Sequence, residues 1–312
     1  MTDVVAASAF WDREIIEPTH VSWMDDPRVR QSINEMIGGG VPLSPGEWFI
    51  AHLHGRTFEH GLSIGCGGGN LERVAIRLEL CKRIDAFDGS VQSLHIARTM
   101  AEREGYADRI HYFVSDFNRP VLPRDTYDVV FFNQSLHHVG KLEKLYRAIL
   151  LAMRRDALLY LDEYIGPSRT EWNDTLIAPH RAVFADLPPE TRKTEFVALP
   201  IQADDPSEAI RSSEIIDQLS IGFEMEMRGY GGNLLSVLYP LIDWKRAPHD
   251  LLPRLIEQDR AMAKSGSYYA AAIGRPARGL RKLYALTRWL IEPKAYRVII
   301  ELRSRRPLKS PK

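Results

Sequence analysis

One stretch limits what this chain can fold into. His60 to Glu72 reads HGLSIGCGGGNLE: a short apolar strand (Leu62, Ser63, Ile64), glycines at Gly65, Gly67 and Gly69, then a helix start at Asn70. Glycine turns the backbone through φ > 0 and lets a ligand approach with no Cβ in the way. A helix start aims free N–H groups and a positive partial charge at the same place. Strand, bare turn and helix in that order build a crevice at the carboxyl end of a first parallel strand, where doubly wound sheets take nucleotides.

The spacing narrows the ligand. A dinucleotide fingerprint, G-x-G-x-x-G, needs glycine at position 70, which is Asn70. The pattern present is G-x-G-x-G between a strand and a helix. In that setting it resembles the first motif of class I S-adenosylmethionine (SAM) methyltransferases and disfavours an NAD-dependent oxidoreductase. A turn with no ligand is the plain alternative, but it leaves the entropy cost of four glycines in five residues unexplained.

The 312 residues are 45% hydrophobic and 26% charged, enough for one sizeable core with appendages. A net charge of zero gives no general pull toward nucleic acid, and none is expected as a partner. Two cysteines, Cys66 and Cys81, make neither a disulfide framework nor a zinc motif. With no signal-like or membrane-spanning apolar run, a cytoplasmic setting is expected. The charge is uneven: 12 Lys/Arg against 2 Asp/Glu from Arg275 to Lys312 leave an acidic body with a basic tail.

Three segments are expected. Residues 1–44 form an N-terminal helical cap, with Phe10-Trp11 and Trp23-Met24 as apolar anchors and a helix from Pro27 to Ile37. Residues 45–275 form the main domain. Its strands are Leu62–Ile64, Arg83–Phe87, Ile110–Val114, Tyr127–Phe132, Ala157–Leu161, Phe223–Arg228 and Tyr268–Ile273. Helices are expected at 70–80, 91–104, 141–154, 206–219, 233–243 and 250–264. Strands alternating with helices predict an α/β parallel sheet. Residues 165–220, proline-rich through 165–205, form an insertion over the substrate. Residues 276–312 form a basic amphipathic tail, with Leu280, Leu283, Tyr284, Thr287, Leu290 and Ile291 on one face and Pro293 as a break. Such a tail can dock on the body or lie peripherally on an anionic inner membrane face.

The resemblance implies a Rossmann-like, doubly wound, seven-stranded, mostly parallel sheet with the last strand antiparallel, and SAM as cofactor. It places Gly65, Gly67 and Gly69 under the cofactor and Asp88, with Gly89 and Ser90, at the ribose. It places Asp116 at the adenine amino group, Phe117 beside the ring, and Asn133-Gln134 at the methionine part. One position departs from the pattern: the acid two residues before the first glycine, which meets the SAM amino group, is Ser63 here.

Asn133-Gln134-Ser135-Leu136 lacks the Pro-Pro-aromatic run of nucleobase and protein-amide methyltransferases, which disfavours those targets. Ser135-Leu136-His137-His138 resembles the segment of small-molecule and sugar O-methyltransferases. Imidazole titrates near neutrality and suits a general base; His138 and His137 are the candidates, with Asp162 in support. Asp162 and Glu163 project to opposite sides of a strand, and no metal centre is expected. Asp162 to Arg169, Asp205 to Ser212 and Tyr230-Gly231-Gly232 resemble a bacterial branch tied to cell-envelope glycan and polysaccharide assembly. Arg211 is a candidate for an anionic substrate group or for a structural ion pair. The expected activity is methyl transfer to a hydroxyl of a small molecule or sugar, including a lipid-linked glycan precursor. N-methylation of an amino sugar, or SAM binding without turnover, are the alternatives. Oligomeric state is left open.

Overall fold

The computed structural model describes Asp12 and residues 22–290. The Phe10-Trp11 anchors, Ile291, Pro293 and the basic end lie outside the described residues.

Seven strands form one sheet in the order β3-β2-β1-β4-β5-β7-β6. They are β1 (Phe58–Ile64), β2 (Cys81–Asp88), β3 (Ile110–Val114), β4 (Tyr127–Asn133), β5 (Met153–Tyr164), β6 (Phe223–Gly229) and β7 (Tyr269–Pro276). β1 to β5 pair in parallel, and β7 runs antiparallel to both β5 and β6. This is the Rossmann-like sheet expected, its last strand reversed. The chain order turns back between β1 and β4, and that switch opens a crevice at their carboxyl ends.

Period-two alternation builds the two layers. Val129 and Phe131 of β4 face one apolar cluster with Ile84, Ala86 and Tyr160. Val130 and Phe132 face the other, with Leu62, Ile64, Leu159 and Leu161. Helices α1 (Pro27–Gly38) and α2 (Pro45–Leu53) lie on the first face. Pro45 opens α2 behind a reciprocal Ser44–Glu47 capping box, and Trp48, Phe49 and Leu53 bury beneath it. α3 (Asn70–Arg77) and α4 (Val91–Arg103) follow β1 and β2; α5 (Leu142–Ala152) follows β4.

Three stretches differ from expectation. The proline-rich insertion carries its own helix, α6 (Asp174–Ala185), with Pro179 inside it. The helix expected from Pro206 starts only at Ile215 (α7, Ile215–Gly222), after a 3-10 turn at Ser212–Glu214. Residues 206–211 are instead tied down as a loop: Asp205 accepts the Ser207 N–H, and the Ile210 N–H donates to the His137 carbonyl. The helix expected over 233–243 shrinks to Leu235–Leu238 and a 3-10 turn containing Pro240, which has no N–H to carry it on. α8 (Leu251–Ala263) packs against the cap, and α9 (Gly279–Arg288) opens the tail.

The tail docks by a face other than its long apolar stripe. Ala285 and Trp289 are buried, Trp289 against Gly222, while Leu280, Leu283 and Leu290 are exposed. Arg278 and Arg281 pair with Asp156 and Glu224 of the body. No helix among the described residues is long and apolar enough to cross a membrane.

Candidate active site

Loops at the carboxyl ends of β1, β2, β4 and β5 close around a cavity of about 1220 Å³. That exceeds the roughly 300–1000 Å³ of a pocket for one small ligand. Gly65, at φ 72, is where two of these loops touch: a Cβ there would stand 2.4 Å from the Ser135 Cβ. Gly67 is different, with nothing within 4 Å of such a Cβ, so its bare backbone forms part of the cavity wall.

Asp88 pins this loop. Its Oδ2 accepts the Gly67 N–H at 2.9 Å and its Oδ1 the Ser90 N–H at 2.8 Å. Each oxygen retains a lone pair for a ligand hydroxyl. Burial pushes its pKa up against the pull of those donors. Gly89 and Ser90 also line the cavity. The Ser90 hydroxyl, however, serves the helix: it accepts the Ser93 N–H and donates to Asp12 Oδ1. Asp116 and Phe117 line the same end; the Asp116 carboxylate accepts the Asn118 N–H, and the Phe117 ring packs on Phe87.

Glu72 is the cofactor-side residue that sequence reasoning missed. It is buried in the first turn of α3 and lines the cavity, with the Ser63 hydroxyl as its neighbouring side-chain donor and no cation bonded to its carboxylate among the described residues. Burial raises its pKa to about 7, with the nearby Ser63 hydroxyl and the Arg73 charge pulling the other way. A buried carboxylate is costly to ionise unless a cation meets it. It lies beside Ser63, the position where the resemblance would place an acid. An acid in the first turn of a helix ordinarily reads as a complement to the helix dipole, and no sequence signal marked it further.

The far end of the cavity is built after β4. Asn133, Gln134, Ser135 and His138 line it, with Lys141, Arg119, Ser207 and Ile210. The fully buried Glu163 organises this loop: Oε2 accepts the Ser135 and Leu136 N–H groups at 2.7 and 2.6 Å, and Oε1 accepts the Tyr164 N–H at 2.7 Å and the His137 Nδ1–H. Burial alone would lower the pKa of His137, but the charges of Glu163 and Glu208 outweigh it and hold it up at about 9. His138 moves down, through burial and then the adjacent His137 charge.

Hydrogen bonds select the His138 tautomer. The Ser207 hydroxyl donates to Asp205 Oδ1 at 2.7 Å, so toward His138 it accepts from Nδ1–H, at 3.1 Å. The Nε2 lone pair is left on the opposite side of the ring. Of the two histidines, His138 lines the cavity and His137 sits behind it, against Glu163.

One expectation is corrected here, and one open alternative is decided. Asp162 supports neither histidine; its Oδ1 accepts from the Tyr230 hydroxyl at 2.5 Å and from Gln134 Nε2 at 3.3 Å, and burial raises its pKa to about 6. Its neighbour Glu163 takes that role, because alternate residues of β5 face opposite ways. Arg211 is a structural ion-pair residue, bonded to both carboxylate oxygens of Glu143 and of Glu214. Ser207, Asp205 and Glu208 belong to the site although no sequence signal marked them; they reach it because the 206–211 loop folds over the histidines.

Residues 62–161 match a family model described as a methyltransferase domain. No curated protein matches the chain in sequence. Among solved structures, geranyl diphosphate C-methyltransferase from Streptomyces coelicolor A3(2), in complex with Mg2+, geranyl diphosphate and S-adenosylhomocysteine, is 12% identical with a TM-score of 0.53. The match covers 89% of this chain and 98% of that one. Phosphoethanolamine N-methyltransferase 2 of Haemonchus contortus, in complex with SAM, is 16% identical with a TM-score of 0.46, covering 83% of this chain and 60% of that one. At such identity the first likeness is one of fold.

Proposed function

We propose, for a chain whose residues 62–161 form a methyltransferase domain in a class I SAM-dependent methyltransferase fold, that it methylates a hydroxyl of a small polar acceptor. The supporting observation is a single cavity that joins the bare glycine loop and Asp88 to the His138 loop. When bound, SAM supplies a methyl group activated on a sulfonium centre. Gly65, Gly67 and Gly68 line the cavity and leave room along the main chain, whereas Gly69, expected there from the sequence, faces Tyr112 and Ala97 and only turns the chain into α3; Asp88 accepts from ribose hydroxyls, and Asp116 with Phe117 receives the base. Glu72 meets the α-ammonium in place of an acid at 63.

At the other end, Ser207 and Asp205 orient His138, and its Nε2 takes the acceptor's hydroxyl proton as the C–O bond forms and the methyl–sulfur bond breaks. Arg119 and Lys141 both line the cavity and form no ion pair among the described residues. They favour an acceptor that also carries a phosphate or carboxylate, which fits a glycan precursor of the kind the sequence suggested. An amine acceptor, by contrast, would gain nothing from two cations.

The test is tritium transfer from methyl-labelled SAM to a panel of sugar phosphates, polyols and amino sugars. Transfer to a hydroxylated anionic acceptor is expected. In the His138→Ala protein it should fall by about 100-fold or more, with S-adenosylhomocysteine affinity within twofold of wild type. Transfer only to amines would overturn the hydroxyl reading.

Glu72 gives a second measurement. In the ligand-free protein its proton is lost near pH 7, whereas an ammonium partner favours the carboxylate, so binding expels a proton below that pH. Affinity for S-adenosylhomocysteine should therefore rise about tenfold from pH 6 to pH 8 and then level off. The Glu72→Gln protein should bind more weakly with a flat profile. For stability the sign is opposite: the folded pKa lies above the ordinary value of 4.5, so the ligand-free protein loses stability as pH rises from about 4.5 to about 7. Parallel profiles for wild type and variant, followed by calorimetry, would remove Glu72 from the cofactor site.

A further inference from the structure

The histidine loop holds more than a base. Among the described residues, His137, His138 and Glu208 each bring one ligand atom within 4.8 Å of the others. Both Nε2 atoms stand 3.7 Å from the same oxygen, Glu208 Oε2. That is too long for a hydrogen bond. It is close to the separation of roughly 3.3–3.5 Å between ligand atoms that zinc bonds of about 2.0–2.2 Å impose in a tetrahedral site.

The atoms behind the cluster are arranged as a metal would need them. His137 gives its Nδ1–H to Glu163 and His138 gives its own to Ser207, which leans on Asp205. Metal-bound histidines usually donate their second ring N–H to a carboxylate, carbonyl or similar acceptor, which fixes the tautomer and turns the other lone pair to the ion. Both carboxylates of this outer layer, Glu163 and Asp205, are fully buried.

We propose that His137, His138 and Glu208 bind a divalent transition-metal ion of the zinc type at the acceptor end of the cavity. This rests on the proposed function, in that it takes the His138 end to be where the acceptor lies. Two imidazoles and one carboxylate suit zinc or iron(II) better than magnesium or calcium, which prefer all-oxygen sets. Three protein ligands leave a position open, as in catalytic rather than structural sites, and His138 places the cluster at the edge of the cavity. An acceptor hydroxyl on that position ionises more readily, as metal-bound water does. Its O–H bond breaks with the proton passing to water, the electron pair stays on oxygen, and that pair forms the C–O bond as the methyl–sulfur bond breaks, its electrons returning to sulfur so that S-adenosylhomocysteine leaves. With the ion bound, His138 acts through the metal it ligates, and its Nε2 takes the proton directly only in the metal-free site.

Full-length protein, stripped with a chelator and freed of any affinity tag, is titrated calorimetrically with zinc chloride and, separately, with magnesium chloride and with S-adenosylhomocysteine. One zinc per chain is expected, with magnesium at least about 100-fold weaker. Glu208→Gln, a change at a part-exposed side chain, should weaken zinc by about 100-fold, and Ser207→Ala by about tenfold through loss of the His138 tautomer. Both should leave S-adenosylhomocysteine affinity unchanged. No stoichiometric zinc in wild type, or equal zinc affinity in wild type and Glu208→Gln, overturns the metal site while the methyltransferase reading stands. Zinc binding without S-adenosylhomocysteine binding leaves the metal site and overturns the methyltransferase reading.

Discussion

The Asp88→Ala protein is expected to bind S-adenosylhomocysteine at least about 100-fold more weakly than wild type by isothermal titration. Two charge-assisted hydrogen bonds to ribose hydroxyls, at about 1.5–3 kcal/mol each, set that scale. A second loss adds to it. Asp88 already holds the Gly67 and Ser90 N–H groups, so alanine also frees the loop whose bare backbone borders the cavity. Asp88→Asn separates the two contributions. Its amide oxygen can keep one of the N–H bonds, but its NH2 cannot accept the other or a hydroxyl. It should recover part of the thermal stability and little of the affinity. Undiminished binding by the alanine variant would remove Asp88 from the cofactor site and take the nucleoside reading of the crevice with it.

The Glu163→Ala protein is expected to be the least stable single variant around the site. Its carboxylate accepts three backbone N–H groups and the His137 ring, with no exposure to water. Alanine leaves three buried donors unsatisfied, at about 1–3 kcal/mol each. A loss on the order of 4 kcal/mol follows even if water enters the space. For a chain of this size that corresponds to roughly 10 °C in Tm. Glu163→Gln keeps one acceptor oxygen and should cost about half as much, while removing the charge that holds the His137 pKa up. A Tm within about 2 °C of wild type for the alanine variant would show that the His137–His138 loop does not depend on Glu163.

Much of this molecule was legible in the sequence for local reasons. The glycine spacing, the apolar run of β4 and the Pro45 helix start each act over a few neighbouring residues. Where a local signal met a distant requirement, it failed. Pro206 to Arg211 has an ordinary helix opening, yet Asp205 and the His137 carbonyl hold it as a loop. The apolar stripe of the tail has helical periodicity, yet it is Ala285 and Trp289 that find a place on the body. Asp162 and Glu163 are adjacent and chemically alike, and only the facing of β5 assigns one to Tyr230 and the other to the histidines.

By itself the sequence determined the order of strands and helices, the bare turn after β1, and the acids at the ends of β2 and β3, because backbone sterics and period-two burial are short-range. Only the tertiary structure decided that Glu72 stands beside Ser63, that Glu163 rather than Asp162 carries His137, and that Glu208 comes to both histidines across some seventy residues of chain. Those pairings depend on how the loops cross above the sheet, and no spacing along a chain encodes the distance between two loops that meet in space.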